Sequence, residues 1–217
     1  MPESLYFPIF VFVVIIFVGA FAVGTQYNVR RGNNVLKWLQ KGLPLIGERA
    51  SLRWLGSSVV ELKINKARDP FRTAEVLVAM EPRDVPVLWL WGHSRGRRDL
   101  LIFRAQLKKA PHFDVEARGR RTWMGPSVPK DGSPKYTAVQ GGVANDLLAD
   151  YRGNISPYSI NRLILGAAVE GVTISRVAVH GAVPNLEVHY YLPKLEKVSA
   201  QRVCATLKEL GEQVLEM

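Results

Sequence analysis

The sequence predicts an α+β protein: a single N-terminal transmembrane helix followed by a cytoplasmic domain with a mainly antiparallel sheet covered by helices. Three observations lead there. Leu5 to Val23 run for nineteen residues without a charge. Beyond them, apolar residues alternate over short stretches bounded by Gly, Pro and Asp, the signature of strands joined by tight turns. Segments with helical spacing and capping residues fall between and after these strands, and strands interspersed with helices in this way favour a sheet covered on one face.

As a helix rising 1.5 Å per residue, the uncharged run is about 28 Å long, close to the hydrocarbon thickness of a bilayer. Pro8 sits in the first turn, where a missing backbone donor costs little, and Tyr6 and Tyr27 fall where interfacial aromatics collect. A cleaved signal peptide is the competing reading, because Ala20-Phe21-Ala22 resembles a small-residue cleavage site. Against it, only Glu3 and no Lys or Arg precedes the run, which is longer than the usual signal core. Residues 1–27 are thus expected to be an anchor. Arg30, Arg31, Lys37 and Lys41 follow the span and no basic residue precedes it, so the positive-inside rule places the N-terminus outside and the domain in the cytoplasm. The lone cysteine, Cys204, agrees with a reducing compartment.

Residues 28–50 read as a juxtamembrane basic amphipathic segment. Asn33 and Asn34 are candidate caps for a short helix from Val35 to Lys41, with Val35, Leu36, Trp38 and Leu39 on an apolar side and Lys37 and Lys41 on a basic one. Gly42 and Pro44 end it. Such a helix suits the headgroup layer, and packing onto the domain would use the same face.

Residues 51–217 read as one α+β domain, long enough to bury a real core. Leu52 to Ile64 carries a broken alternation and Ala74 to Met80 a cleaner one, with a turn at Asp69-Pro70. Asp84 before Val85-Pro86 predicts a capped, tryptophan-rich helix from Pro86 to His93, stopped by Gly92 or Gly96. Leu100 to Leu107 and His112 to Ala117 read as strands around a bend at Lys108 to Pro111; a helix capped by Asp99 is the alternative for the first. Residues 119–137, rich in Gly and Pro, form a loop dividing two halves. Val143 to Tyr151 and Ile160 to Val169 read as helices, the second capped by Ser159. Val172 to Val179 and Leu186 to Leu192 form a hairpin across Gly181 to Asn185. Ser199 opens a final amphipathic helix carrying Val203, Leu207, Leu210 and Val214 on one side.

Charge is unevenly spread. Residues 24–121 hold 20 Lys and Arg against 9 Asp and Glu, whereas residues 122–217 hold 9 of each. The basic half is the one next to the span. Its candidate partner-binding or anionic-surface residues are Arg30, Arg31, Lys37, Lys41, Arg83, Arg95, Arg97, Arg98, Arg118, Arg120 and Arg121, with Trp123 beside the last. Arginine with an interleaved aromatic binds phosphate and stacks on bases, and it equally rests on an anionic membrane. Solvated faces of this kind are also ordinary.

Gly92-His93-Ser94-Arg95-Gly96 fits the G-x-S-x-G nucleophile elbow, with Val87 to Trp91 as its preceding strand and Asp146, Asp150, His180 and His189 later in the chain. A membrane-anchored serine hydrolase is therefore the alternative function. Only about seventy residues separate the span from the motif, too few for the strands and helices that normally precede such an elbow, and no His-Gly or Gly-Gly loop offers an oxyanion hole. The four histidines lack metal-site spacing, and no glycine-rich loop with phosphate-binding spacing appears. No catalytic residue, metal, cofactor or small-molecule substrate is inferred.

Val76 to Leu107 runs strand, Glu81-Pro82-Arg83-Asp84, short apolar helix, arginine-rich turn and strand. The chain closes with Val172 to Gly181, Leu186 to Pro193 and a C-terminal helix. In element order and in these residue types, over about half the chain, it resembles calumin-type endoplasmic-reticulum membrane proteins, whose cytosolic domain follows a transmembrane helix. The resemblance implies a binding role at the ribosome-bound translocon in membrane-protein insertion, with Arg83, Arg95, Arg97 and Arg98 facing ribosomal RNA or a membrane-protein partner. The chain departs from that pattern in having no acidic segment before the span and no long charged C-terminal helix, which puts a luminal or tunnel-reaching role in doubt. The expectation is a non-enzymatic, single-pass membrane protein whose domain binds anionic lipid headgroups, the ribosome or a membrane-protein partner.

Overall fold

The computed structural model describes residues 3–119, 136–139 and 147–217. Its first element, α1 (Glu3–Leu39), is one unbroken helix of 37 residues. It is long and apolar enough to cross a membrane. Apolar side chains from Tyr6 to Val23 are exposed, whereas Val35, Leu36, Trp38 and Leu39 lie in the core of the domain. Asn33 and Asn34 are therefore exposed mid-helix residues and cap nothing. The segment from Val35 to Leu39 is the end of α1 and not a separate helix. The apolar side of that segment is used for packing, which is also why the helix continues past Gly32: its buried contacts outweigh the weak propensity of glycine.

A short helix α2 (Leu43–Ile46) follows, opened by Gly42 with Pro44 in its first positions. Then come β1 (Gly47–Trp54), β2 (Val59–Ala67) and β3 (Phe71–Ala79). The segment expected as one interrupted strand from Leu52 to Ile64 is a hairpin, with Gly56 at a φ of 76° in the turn. Asp69-Pro70 makes the next turn, as expected.

The helix α3 (Pro86–Ser94) has Val85 at its cap, not Asp84, which instead accepts a 2.5 Å hydrogen bond from Ser57 Oγ. Strands β4 (Leu100–Leu107) and β5 (Asp114–Gly119) match the strand reading, and the helical alternative for Leu100 onward is not seen. The loop expected at 119–137 falls mainly outside the described residues. Beyond it lie β6 (Thr137–Ala138) and β7 (Leu147–Arg152).

The helix expected over Val143 to Tyr151 is thus strand where it is described. Its alternation, Leu147 and Ala149 buried against Leu148 exposed, has a period of two. The helix α4 (Pro157–Gly166) starts earlier than expected: Ser156, not Ser159, is its cap and accepts a 3.1 Å bond from the Ser159 amide. Strands β8 (Ile174–Val179) and β9 (Leu186–Tyr191) form the expected hairpin. Ser199 caps α5 (Ala200–Leu215) by accepting from the Arg202 amide.

Among the described residues the nine strands form one antiparallel sheet in the order β1-β2-β3-β4-β9-β8-β5-β7-β6. Register explains its two faces. Leu62, Val76, Phe103, Val188, Val177, Ala117 and Ala149 are successive cross-strand partners, and all are buried. This row faces the helical layer: the C-terminal part of α1 together with α2, α4 and α5. The adjacent row, one residue along each strand, is Lys63, Glu75, Arg104, Glu187, Ala178, Glu116 and Asp150. It lies on the opposite face because side chains alternate.

The helical layer is tied down by specific contacts. Trp38 Nε1 donates to the Val198 carbonyl at 2.7 Å, and Tyr190 donates its hydroxyl to Ala167 at 2.6 Å. On α5 the inward stripe is the expected one, Val203, Leu207, Leu210 and Val214. Phe71 and Phe103 meet edge to face at 5.3 Å between ring centroids in the centre of the core. Phe103→Ala in the full chain is expected to cost about 3–5 kcal/mol, measured as loss of unfolding free energy in detergent micelles.

Candidate functional site at the base of the long helix

Two carboxylates, Glu81 and Asp99, are 2% and 6% exposed, and neither can remain ionised in such a place without partners. Glu81 ends the chain's exit from β3, and Asp99 precedes β4. Between them the chain makes α3 and returns, so antiparallel pairing of β3 with β4 brings the two acids together. The Glu81 amide donates to Asp99 Oδ1 at 2.8 Å. Arg83 bridges both acids: Nη2 is 2.9 Å from Glu81 Oε2 and Nη1 is 2.9 Å from Asp99 Oδ1.

The long helix completes the cluster. Arg31 Nε lies 2.5 Å from Asp99 Oδ2. One turn earlier, buried Asn28 donates Nδ2 to the Glu81 carbonyl at 3.0 Å and accepts at Oδ1 from Arg83 Nη1 at 3.2 Å. The Arg83 guanidinium stands over the Tyr27 ring, 5.1 Å from its centroid. Close approach is possible because Gly24 has no side chain: a Cβ there would sit 2.1 Å from the Arg83 carbonyl oxygen. Gly32, two turns along the same face, makes room for the Trp54 ring, 2.6 Å from where its Cβ would be.

The helix α3 is held by the same acid. Trp89 Nε1 donates to Glu81 Oε2 at 3.1 Å, and His93 Nδ1 lies 2.9 Å from Glu81 Oε1. Arg98 closes the C-terminal end of α3 by donating to the carbonyls of His93 and Arg97 at 2.9 and 2.6 Å. Together α1, the β3–α3 connection, α3 and the approach to β4 form one polar clamp.

The anticipated cationic residues are accordingly divided. Arg31 and Arg83 are consumed in the clamp, and Arg98 serves the end of α3. Arg30 and Lys37 are exposed on the side of α1 opposite its buried stripe, and Lys41 is exposed in the turn that follows. Arg95 is exposed and stacks on Trp91 at 4.2 Å, while Arg97 is partly buried alongside Gly92. Arg118 is far from all of these on the sheet, paired with Asp150 at 3.4 Å. Arg120, Arg121 and Trp123 lie outside the described residues. Glu81, Asp99, Asn28, Trp89 and His93 were not among the expected site residues. Two acids bracketing a tryptophan-rich helix and the arginine-rich turn after it, in a basic half of the chain, were the available signal.

Ser94 does not occupy a strand-to-helix elbow. Val87 to Trp91 is helix rather than strand, Ser94 is the last residue of α3, and its hydroxyl donates back to the Trp91 carbonyl at 2.8 Å. The late histidines are elsewhere: His180 Nδ1 is 3.7 Å from Asp114, and His189 is buried against Glu187. Among the described residues no group of three or more His, Cys, Asp or Glu side chains is arranged to hold a metal ion. Burial pushes the Cys204 thiol up to about 12, which removes the thiolate as a nucleophile at neutral pH.

On the sheet face away from the helices, Glu187 joins Arg176 at 2.8 Å, Arg104 at 3.4 Å and His189, and Arg176 continues to Glu116 at 3.2 Å. Burial alone would raise the Glu187 carboxyl. The His189 hydrogen bond and the charges of His189, Arg176 and Arg104 outweigh it and hold the group down at about 2.

No model of a known protein family matches the chain, and no curated protein matches it.

Two outcomes follow from these contacts. Asp99→Asn leaves Arg31 and Arg83 short of a buried counter-charge and should destabilise the full chain by about 3–5 kcal/mol, read by thermal unfolding in detergent. Glu187 is depressed below its unfolded value of 4.5, so its contribution is complete above that pH and is lost as pH falls through about 2. A plot of unfolding free energy between pH 5 and 2 should therefore be flatter for Glu187→Gln than for the parent chain.

Proposed function

We propose that the chain is a non-enzymatic, single-pass membrane protein whose domain is a binding or scaffold module held at a fixed orientation against the cytoplasmic face of the bilayer. The observation that carries this reading is the continuity of α1, exposed and apolar over its first part and a core element of the domain over its last. A flexible tether would let the domain wander. A helix that is clamped through Asn28 and Arg31 and then buried from Val35 to Leu39 fixes the height and rotation of the domain on its span.

The partner surface is the outer side of α1 and the turn beyond it. Arg30, Asn34 and Lys37 lie within one exposed stripe, seven residues separating the two cations, and exposed Lys41 follows in the turn beyond. This stripe is basic, points away from the core and begins next to the uncharged run. Its complement is an acidic surface at the membrane, and the resemblance to calumin-type proteins suggests the ribosome or translocon, with membrane-protein biogenesis as the setting. Orientation comes from the same cations through the positive-inside rule.

The expected topology is checked with reporters fused after Met217: one active only in the cytoplasm should work, one active only outside should not, and the mature chain should retain Leu5 to Val23. A processed N-terminus near Val23 would sink the anchored reading. Lys37→Glu with Lys41→Glu should weaken sedimentation with ribosomes at low salt and reduce its salt dependence, without lowering thermal stability. Labelling of Ser94 by a fluorophosphonate, abolished in Ser94→Ala, would instead favour the hydrolase.

A further inference from the structure

The helix α3 is built inside out for a surface helix. Its domain side carries the polar groups: Trp89 Nε1 and His93 Nδ1 reach Glu81, and Gly92 is buried. Its outer side carries Val87, Leu88, Leu90 and Trp91, exposed by 62, 53, 61 and 50%. At helical spacing these four fall within one continuous arc, with exposed Val85 just before it. A contiguous apolar stripe facing water is unfavourable, and it marks a surface covered by something else.

Position identifies the cover. The connection that leads into α3 touches α1 at Gly24, and Arg83 reaches Tyr27 and Asn28. The exposed apolar run of α1 ends at Val23, about 26 Å along the helix from Tyr6. The stripe of α3 thus sits at the level where a bilayer around α1 changes from hydrocarbon to headgroup. The end of α3 has the matching chemistry: Arg95, exposed and stacked on Trp91, is followed by Arg97 and Arg98, and an aromatic with arginine is what the interface favours.

We propose that α3 is a second membrane contact, lying in the interface with Val87, Leu88, Leu90 and Trp91 among acyl chains and Arg95 at lipid phosphates. This deepens the anchored reading and rests on α1 spanning the bilayer. The clamp is then the device that presents α3 to lipid: Glu81 fixes its polar side, and Arg83 and Asn28 set its height on the span. Arg95 selects anionic headgroups.

The test uses the full chain, reconstituted in phosphatidylcholine vesicles with and without phosphatidylglycerol. Single cysteines carrying nitroxide labels are placed at Leu90, at Ile15 in the apolar run and at exposed Val183, in a Cys204→Ser background. Collision with oxygen relative to a water-soluble nickel chelate should be severalfold higher at Leu90 than at Val183 and should approach the value at Ile15. Arg95→Glu should move the Leu90 label toward water in the anionic vesicles and have less effect in the neutral ones. Quenching of Trp91 by brominated acyl chains, taken as the difference between the parent chain and Trp91→Phe, gives the same reading without a label. A water-like Leu90 beside a lipid-like Ile15, with Trp91 unquenched, overturns the proposal alone. A water-like Ile15 overturns the spanning helix itself. A Leu90 label shielded from both oxygen and nickel signals a protein contact between copies of the chain and also overturns the proposal.

Discussion

Ionised carboxylates buried at a junction need partners, and this need organises the base of the domain. Glu81 and Asp99 are drawn together by the pairing of β3 with β4 and are neutralised by Arg83 from their own connection and Arg31 from α1. Breaking up such a group is far costlier than any single exposed ion pair, since each guanidinium or carboxylate left behind would be stranded in a place with little water. The long helix, α3 and the connection between β3 and β4 are therefore held to one another. Gly24 and Gly32 of α1 contribute close approach, because they are the places where backbone and tryptophan come within reach of the helix axis.

The sheet solves a different problem. One face meets four helical segments through an uninterrupted apolar row, and the other carries a row rich in acids and bases, most of them partly or fully shielded. Burying charge is worthwhile only in a closed circuit, and Glu75, Arg104, Glu187, Arg176 and Glu116 supply one across five strands. This circuit is local in space and scattered in sequence. It also leaves the second face ill suited to an apolar sandwich partner, so the helical layer and the sheet complete the packing by themselves.

Much of the architecture was legible in the chain because the relevant signals are short-range. Alternation identified β4 and the β8–β9 hairpin, and Ser199 with its stripe identified α5. The errors have physical causes. Val143 to Tyr151 carries helix-forming residues, yet Leu147 and Ala149 are needed on the core side of an inner strand, so tertiary pairing overrode propensity. Gly56 was masked by apolar residues on both sides of the turn. The amphipathic period after Asn33 was read correctly, but its apolar side faces the domain, a distinction that periodicity alone does not make. At the candidate site, the clustered arginines were visible and the pairing of Arg31 and Arg83 with Glu81 and Asp99 was not. Asp99 is sixteen residues from Arg83 and sixty-eight from Arg31, and the β3–β4 register together with the docking of α1 brings them into contact.

With α1 across a bilayer, an unbroken helix shared by its exposed apolar part and the domain is also a lever. Transmembrane helices adjust to bilayer thickness by tilting, and with a joint of this kind no hinge is available to absorb the change. Nine strands at about 4.8 Å spacing make a sheet roughly 38 Å wide, and a tilt of about 20° would swing one edge relative to the other by up to roughly 13 Å. With α1 across a bilayer, thickness is converted into the height of a protein surface, and a second point of contact beside the span would set how far that swing can go.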